Sequence, residues 1–203
     1  MRLIQKQSEP ADFAKWKQAD ATATFDMLKR TALKRRLKNA LLNEQHHVCC
    51  YCENEISLEN SHIEHLHAQQ NHKNKQLDYA NMMVSCEGGK AKGNTATHCG
   101  HLKGAQSLPL SPLDATDLAP NFIYAADGQI YPHIGNNESA QATITILGLN
   151  AKRLINMRKA AISVLLGIPK ENWMQLASLN TSSQLPAFSS AMQYQINTST
   201  GTI

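Results

Sequence analysis

Apolar residues fall on every third or fourth position toward both ends of this chain, the pattern of helices with one buried face. After a short extended lead-in, a helix is expected around residues 12–21. Over residues 25–45, Leu33, Leu37 and Leu41 recur at four-residue spacing, with Leu28 and Ala40 on the same face, and predict one continuous helix. Over residues 150–166, Leu154, Met157, Ala161, Ile162 and Leu165 mark another, and Gly167 and Pro169 end it. The middle of the chain has a different rhythm. Two short apolar bursts, His62-Ile63-Glu64-His65-Leu66 and Met82-Met83-Val84-Ser85-Cys86, read as strands. The polar stretch 69–76 and the glycine-containing stretch 87–97 predict loops, and a helix should start near Gly100. Segment 107–121 carries Pro109, Pro112 and Pro120 and predicts irregular backbone. Asp127-Gly128 between Phe122-Ile123-Tyr124-Ala125 and Gln129-Ile130-Tyr131 signals a hairpin. The last thirty or so residues, rich in Ser, Thr, Gln and Asn, are expected to be less ordered, with Trp173, Leu185, Phe188 and Met192 able to dock part of them.

This pattern predicts an α+β chain in four segments: a helical lead-in (1–48), a core of short strands and loops (49–106), a hairpin and helix (107–170) and a polar tail (171–203). With 42% hydrophobic but only 5% aromatic residues, the core must rest on Leu, Ile, Met and Ala. No apolar run approaches the roughly 18 residues of a membrane span, and the first residues lack a signal-peptide core, so a cytoplasmic protein with no membrane partner is expected. Five cysteines in that setting favour metal ligation over disulfides. The net charge of +4 is modest, but its distribution is not even. Lys29, Arg30, Lys34, Arg35, Arg36 and Lys38 crowd one stretch without an acid, and Lys152, Arg153, Arg158 and Lys159 form a second set. Such clusters suit a phosphate-contacting surface, and equally a solvated helix face.

Cys49-Cys50-Tyr51-Cys52 puts two thiols on one tight turn, close enough to share a tetrahedral zinc. Cys86, ending the second strand, and Cys99, opening the next helix, supply two more across the intervening loop; His98 is an alternative to one of them. Cys50 is the expected non-ligand, because adjacent thiolates do not easily face one ion. Scattered buried cysteines without a metal are the plainer alternative.

Between these cysteines lies a second chemistry. Glu64 and His65 end the first strand, where twist can turn both toward one cleft. A carboxylate there can hold Mg²⁺ or Mn²⁺, and an imidazole, with an unperturbed pKa of about 6.5, can take a proton from water. Asn81 can pin the loop between the strands and so fix the imidazole, and His101 can offer the ion a second ligand. His62-Ile63-Glu64 lacks the downstream Pro-Cys-x-x-Cys of zinc deaminases, and His62 and His65 fail zinc-protease spacing. A zinc-stabilised nucleic-acid-binding module without catalysis would share the cysteines and basic residues, but has no use for Glu64, His65, Asn81 and His101 together.

Taken in order, these residues resemble an HNH endonuclease of the ββα-metal type with a zinc-binding cysteine frame. More narrowly, the chain is similar to the HNH subunit of Septu anti-phage defence systems, including retron-associated ones. That likeness extends over roughly residues 1–165, through Leu41-Leu42-Asn43-Glu44-Gln45, Asp78-Tyr79-Ala80-Asn81, Cys99-Gly100-His101 and Thr145-Ile146-Leu147-Gly148-Leu149-Asn150. The resemblance implies that His65 is the general base, Glu64 and His101 ligands of a catalytic Mg²⁺ or Mn²⁺, Asn81 the residue that orients the base, and Cys49, Cys52, Cys86 and Cys99 ligands of a structural Zn²⁺. It leaves His98 competing with His101 for the last ligand role. It implies phosphodiester hydrolysis, with DNA favoured and RNA such as tRNA possible, Lys103 and the basic helix gripping the backbone, and an ATPase partner subunit. Retron reverse transcriptase and its non-coding RNA and DNA are further implied partners. One departure stands out: these enzymes often carry His-x-x-Pro after the base, and here Ala68 takes the proline's place, which implies a less rigid loop.

Overall fold

Pro10 has no amide proton to donate, and helix α1 (Ala11–Ala19) begins directly after it, anchored by the buried Phe13. The structure, a computed structural model, describes residues 1–89, 95, 97–114, 117–133 and 137–201. The single helix expected over 25–45 is two elements. Phe25–Leu28 form a 3-10 turn, and helix α2 (Ala32–Glu44) starts afresh after it. Arg30 takes a left-handed φ of 60°, and Thr31 caps α2 by accepting the amide of Lys34 at 3.1 Å. The leucine spacing runs through the break because both pieces bury leucines on the same core: Leu28, Leu37, Leu41 and Leu42 are all fully buried.

Strands β1 (Ser61–His65) and β2 (Met82–Cys86) pair antiparallel, with Ile63 opposite Val84 and His65 opposite Met82. β2 is buried along its whole length, so its second edge needs partners within the protein. Gln45, just past α2, supplies them: its amide donates to the Val84 carbonyl at 2.8 Å and accepts the Val84 amide at 2.6 Å. The short helix α3 (Cys99–Lys103) follows and lies beside β2. Part of the loop expected over 87–97, residues 90–94 and 96, lies outside the described residues.

The hairpin expected around Asp127-Gly128 forms from β3 (Phe122–Tyr124) and β4 (Ile130–Pro132). Gly128 has φ +90°, and a Cβ there would sit 2.2 Å from the Ile155 carbonyl, so the turn needs glycine on both counts. Helix α4 (Asn137–Ile146) has no counterpart among the sequence expectations; α5 (Lys152–Leu166) matches the helix expected there.

The polar tail is also built differently from expectation. It contains α6 (Trp173–Leu176) and α7 (Ser189–Thr200), and Leu165, Trp173, Ala177, Met192 and Ile196 form a small second core. Phe188, Met192 and Ile196 lie four apart, so one helical stripe is apolar although the composition is not. No helix among the described residues is long and apolar enough to cross a membrane.

Candidate functional site

Four cysteines from three elements meet in the core. Cys49 and Cys52 come from the turn after α2, Cys86 ends β2 and Cys99 opens α3. The turn is closed by the Glu53 amide donating to the Cys49 carbonyl at 3.0 Å and the Cys49 amide donating to the Asn54 carbonyl at 2.8 Å. Cys49 and Cys99 sulfurs are 3.9 Å apart and Cys52 and Cys86 sulfurs 3.8 Å. Sulfurs bound at about 2.3 Å to one tetrahedral zinc lie about 3.8 Å from each other, so the set fits a zinc ion. Burial would raise the Cys49 thiol, but hydrogen bonds from its sulfur neighbours outweigh it and hold Cys49 well below its ordinary value. Cys50 is outside this set, and burial pushes its thiol well up. His98 stands at the rim, with Nδ1 3.2 Å from the Cys99 sulfur and Nε2 buried without a hydrogen-bond partner.

Glu64 and His65, adjacent at the end of β1, both line one open cleft of about 390 Å³ with Ala68, Gln69, Gly104 and Ala105. Glu64 is nearly buried and held on both oxygens. Tyr51 donates to Oε1 at 3.1 Å, Lys103 Nζ lies 3.0 Å from the same oxygen, and His62 Nε2 lies 3.5 Å from Oε2. Burial would raise this carboxyl, but the His62 hydrogen bond and the Lys103 charge hold it below its ordinary value. Lys103 itself is fully buried, so it is a partner of Glu64 and not the phosphate grip expected of it. Gly100 makes the fit possible: a Cβ there would fall 2.5 Å from Glu64 Oε2.

The protonation of His65 is set by its neighbours. The Gln76 carbonyl, 3.0 Å from Nε2, can only accept, so Nε2 carries the proton. Nδ1 then holds the lone pair, and the Gln69 amide donates to it at 3.0 Å. The Phe25 ring meets the imidazole edge-on at 4.7 Å, and burial holds His65 below its ordinary pKa, hence neutral near pH 7. Asn81 pins the loop that carries Gln76. It accepts the His67 amide at 2.8 Å and donates to the carbonyls of His67 and Lys75, each at 3.1 Å. Asn81 thus holds the carbonyl next to the one that holds His65.

His101 is placed elsewhere than expected. Its Nε2 is 2.8 Å from Glu87 Oε2, and its ring stacks at 4.0 Å on His62, which stands between it and Glu64. Glu64 and His101 are therefore not brought to one point; His62, Glu87 and His101 are. For His62, burial, which would lower the pKa, is outweighed by Glu64 and Glu87, which raise it. Sequence reasoning passed over Tyr51, His62 and Glu87. The available signal was the period-2 alternation of β1, which puts His62 on the same face as Glu64. Of the basic clusters, Lys29, Arg30, Arg35, Arg36, Lys152, Arg153 and Lys159 are exposed. Arg158 is buried, donating to the Leu149 carbonyl at 3.0 Å and to the Gly128 carbonyl, and takes no part in such a surface.

Known proteins named as HNH endonucleases are similar to this chain. No family model matches it. A protein of Escherichia coli named "Retron Ec83 putative HNH endonuclease" is 26% identical, with 78% of each chain covered. A protein of Vibrio cholerae serotype O1 biovar El Tor named "Retron Vc95 putative HNH endonuclease" is 30% identical, with 68% of this chain and 69% of the relative covered. With that identity over two thirds of both chains, this chain belongs to the HNH endonuclease family.

Proposed function

We propose that the protein is a metal-dependent endonuclease with a ββα-metal core that hydrolyses phosphodiester bonds of nucleic acid, DNA in preference to RNA. The observation that carries this is His65: neutral, its lone pair forced onto Nδ1 and turned into a cleft it shares with a carboxylate. A water taking the place of the Gln69 amide would lose its proton to Nδ1 and attack phosphorus in line as the opposite ester oxygen leaves. Asn81, through the loop carbonyls, keeps the imidazole aimed during that transfer. A divalent cation such as Mn²⁺, held by His101 with Glu64 behind its neighbour His62, would supply neutralisation of the charge that builds on the phosphate and leaving oxygen. The exposed basic residues of α2 and α5 suit sequence-independent contacts to the backbone.

The retron names of both relatives and the likeness to Septu subunits support a further reading. In it the chain is the effector of an anti-phage defence complex, held or delivered by an ATPase subunit, with a retron reverse transcriptase and its nucleic acid as neighbours.

The test is a cleavage assay on plasmid DNA and on total tRNA with Mg²⁺ or Mn²⁺, each with and without the genomic neighbour. His65→Ala is expected to abolish cutting while zinc content and nucleic-acid binding stay at wild-type levels. Cutting by the variant at the wild-type rate would remove His65 from the reaction. No cutting by either protein, with tight binding, would favour a non-catalytic binding module.

A further inference from the structure

Beyond the cysteine frame, one more group of metal-ligating side chains among the described residues converges on a single point. His62 projects from β1, Glu87 follows β2 directly, and His101 lies on α3. One ligand atom from each lies within 4.8 Å of the other two. Glu87 reaches both imidazoles, Oε2 to His101 Nε2 at 2.8 Å and Oε1 to His62 Nδ1 at 3.5 Å. Donors bound at about 2.1 Å to one ion stand about 3–4 Å apart, so little movement would seat all three on it.

Two further observations point to an ion here. His62 Nδ1 is buried and has no hydrogen-bond partner, although it faces Glu87. The other nitrogen of that ring, Nε2, faces Glu64 Oε2 at 3.5 Å. A carboxylate behind a histidine is the usual outer support of a metal ligand: it takes the proton and leaves the far nitrogen free to bind. Glu64 is in turn fixed by Tyr51 and Lys103, which leaves it little freedom to turn toward an ion.

We propose that His62, Glu87 and His101 form a divalent transition-metal site, with Glu64 its outer-shell support rather than a direct ligand. Two imidazoles and one carboxylate favour ions such as Co²⁺, Zn²⁺, Ni²⁺ or Mn²⁺ over Mg²⁺, which prefers an oxygen shell. The three side chains leave other positions on the ion open, as a site that acts on a ligand requires. This deepens the nuclease reading, on which its catalytic role rests; binding of the ion itself does not depend on it.

The experiment is titration of the zinc-loaded full-length protein with Co²⁺, followed by visible absorbance and calorimetry, with cleavage measured separately. One Co²⁺ per chain is expected beyond the zinc, with weak bands of nitrogen and oxygen ligation, no thiolate charge-transfer band, and persistence in millimolar Mg²⁺. Glu87→Gln and His101→Ala should abolish this binding, with zinc content and circular dichroism unchanged. Glu64→Gln should keep the stoichiometry and weaken affinity about 10–100-fold. Absence of a second ion, or binding that survives both ligand variants, overturns the site. Binding lost in Glu64→Gln but kept in Glu87→Gln would make Glu64 the ligand and also overturns it. Failure of the nuclease reading looks different: His65→Ala would cut like wild type, whatever the Co²⁺ titration shows.

Discussion

At the scale of single residues, the site is organised by a buried ion pair. Lys103 is fully buried with Nζ 3.0 Å from Glu64 Oε1, and its ammonium also donates to the Gly104 carbonyl at 3.0 Å. Removing one member of such a pair strands the other charge in a medium that solvates it poorly, at a cost of about 3–5 kcal/mol. Lys103→Met should therefore lower the unfolding free energy in urea by about that amount. It should also cut the cleavage rate more than zinc content, because Glu64 loses the partner that fixes it. An unchanged urea midpoint would mean that the pair is not formed. The same residue shows where the sequence stops being legible. Glu64, His65, Asn81 and the four cysteines stand out because their types and order are rare together. Lys103 is one cation among many, and only the placing of the single turn of α3 beside β2 turns it from a phosphate grip into a carboxylate partner. His62 looked like a fragment of the wrong motif, and its stacking on His101 depends on how α3 crosses the sheet.

At the scale of elements, the cysteine frame adds one shared point to pieces that Gln45, Ser85 and the apolar core already bring together. The turn after α2, the end of β2 and the start of α3 each contribute thiols, and α3 spans only Cys99–Lys103. A helix of five residues is far below the length that is stable alone, so its position depends on what its ends are fastened to. One tightly held zinc per chain is expected by metal analysis. Its removal with a strong chelator at neutral pH should broaden the near-ultraviolet dichroism and urea transition, as coordination energy is folding energy in such sites. A chelated protein that keeps both signals would show the thiols to be structural without metal. Periodicity was a good guide to β1, β2, the hairpin and α5, because each carries an uninterrupted pattern. It was a poor guide where polar residues dilute the stripe, as in α4 and α7. It also ran past Arg30 and Thr31, where capping and a left-handed residue stop a helix that the leucines continue.

At the scale of the molecule, Glu53 joins both ends of the described chain to the cysteine turn. Its Oε1 lies 3.0 Å from the Met1 ammonium, which also donates to the Tyr124 hydroxyl, and its Oε2 accepts the Ser190 amide at 2.8 Å and the Ser189 hydroxyl at 3.2 Å. Its carbonyl accepts the Phe188 amide at 2.8 Å, so α7 starts on the residue that follows Cys52. Burial would raise this carboxyl, but the ammonium and the Ser190 hydrogen bonds overcome it and bring it down to about 2 from an ordinary 4.5. A folded value below the unfolded one means that the stabilisation is fully present above about 4.5 and is lost as pH falls through about 2. A depression of that size corresponds to about 3 kcal/mol. Glu53→Gln keeps the shape and removes the charge, so it should be less stable than wild type by roughly this amount at pH 7. The gap in urea midpoint between the two proteins should then narrow as pH is lowered from 4.5 toward 2. A gap that stays constant across that range would show that the ammonium and α7 are held by shape alone, and that the charge of Glu53 does not join them.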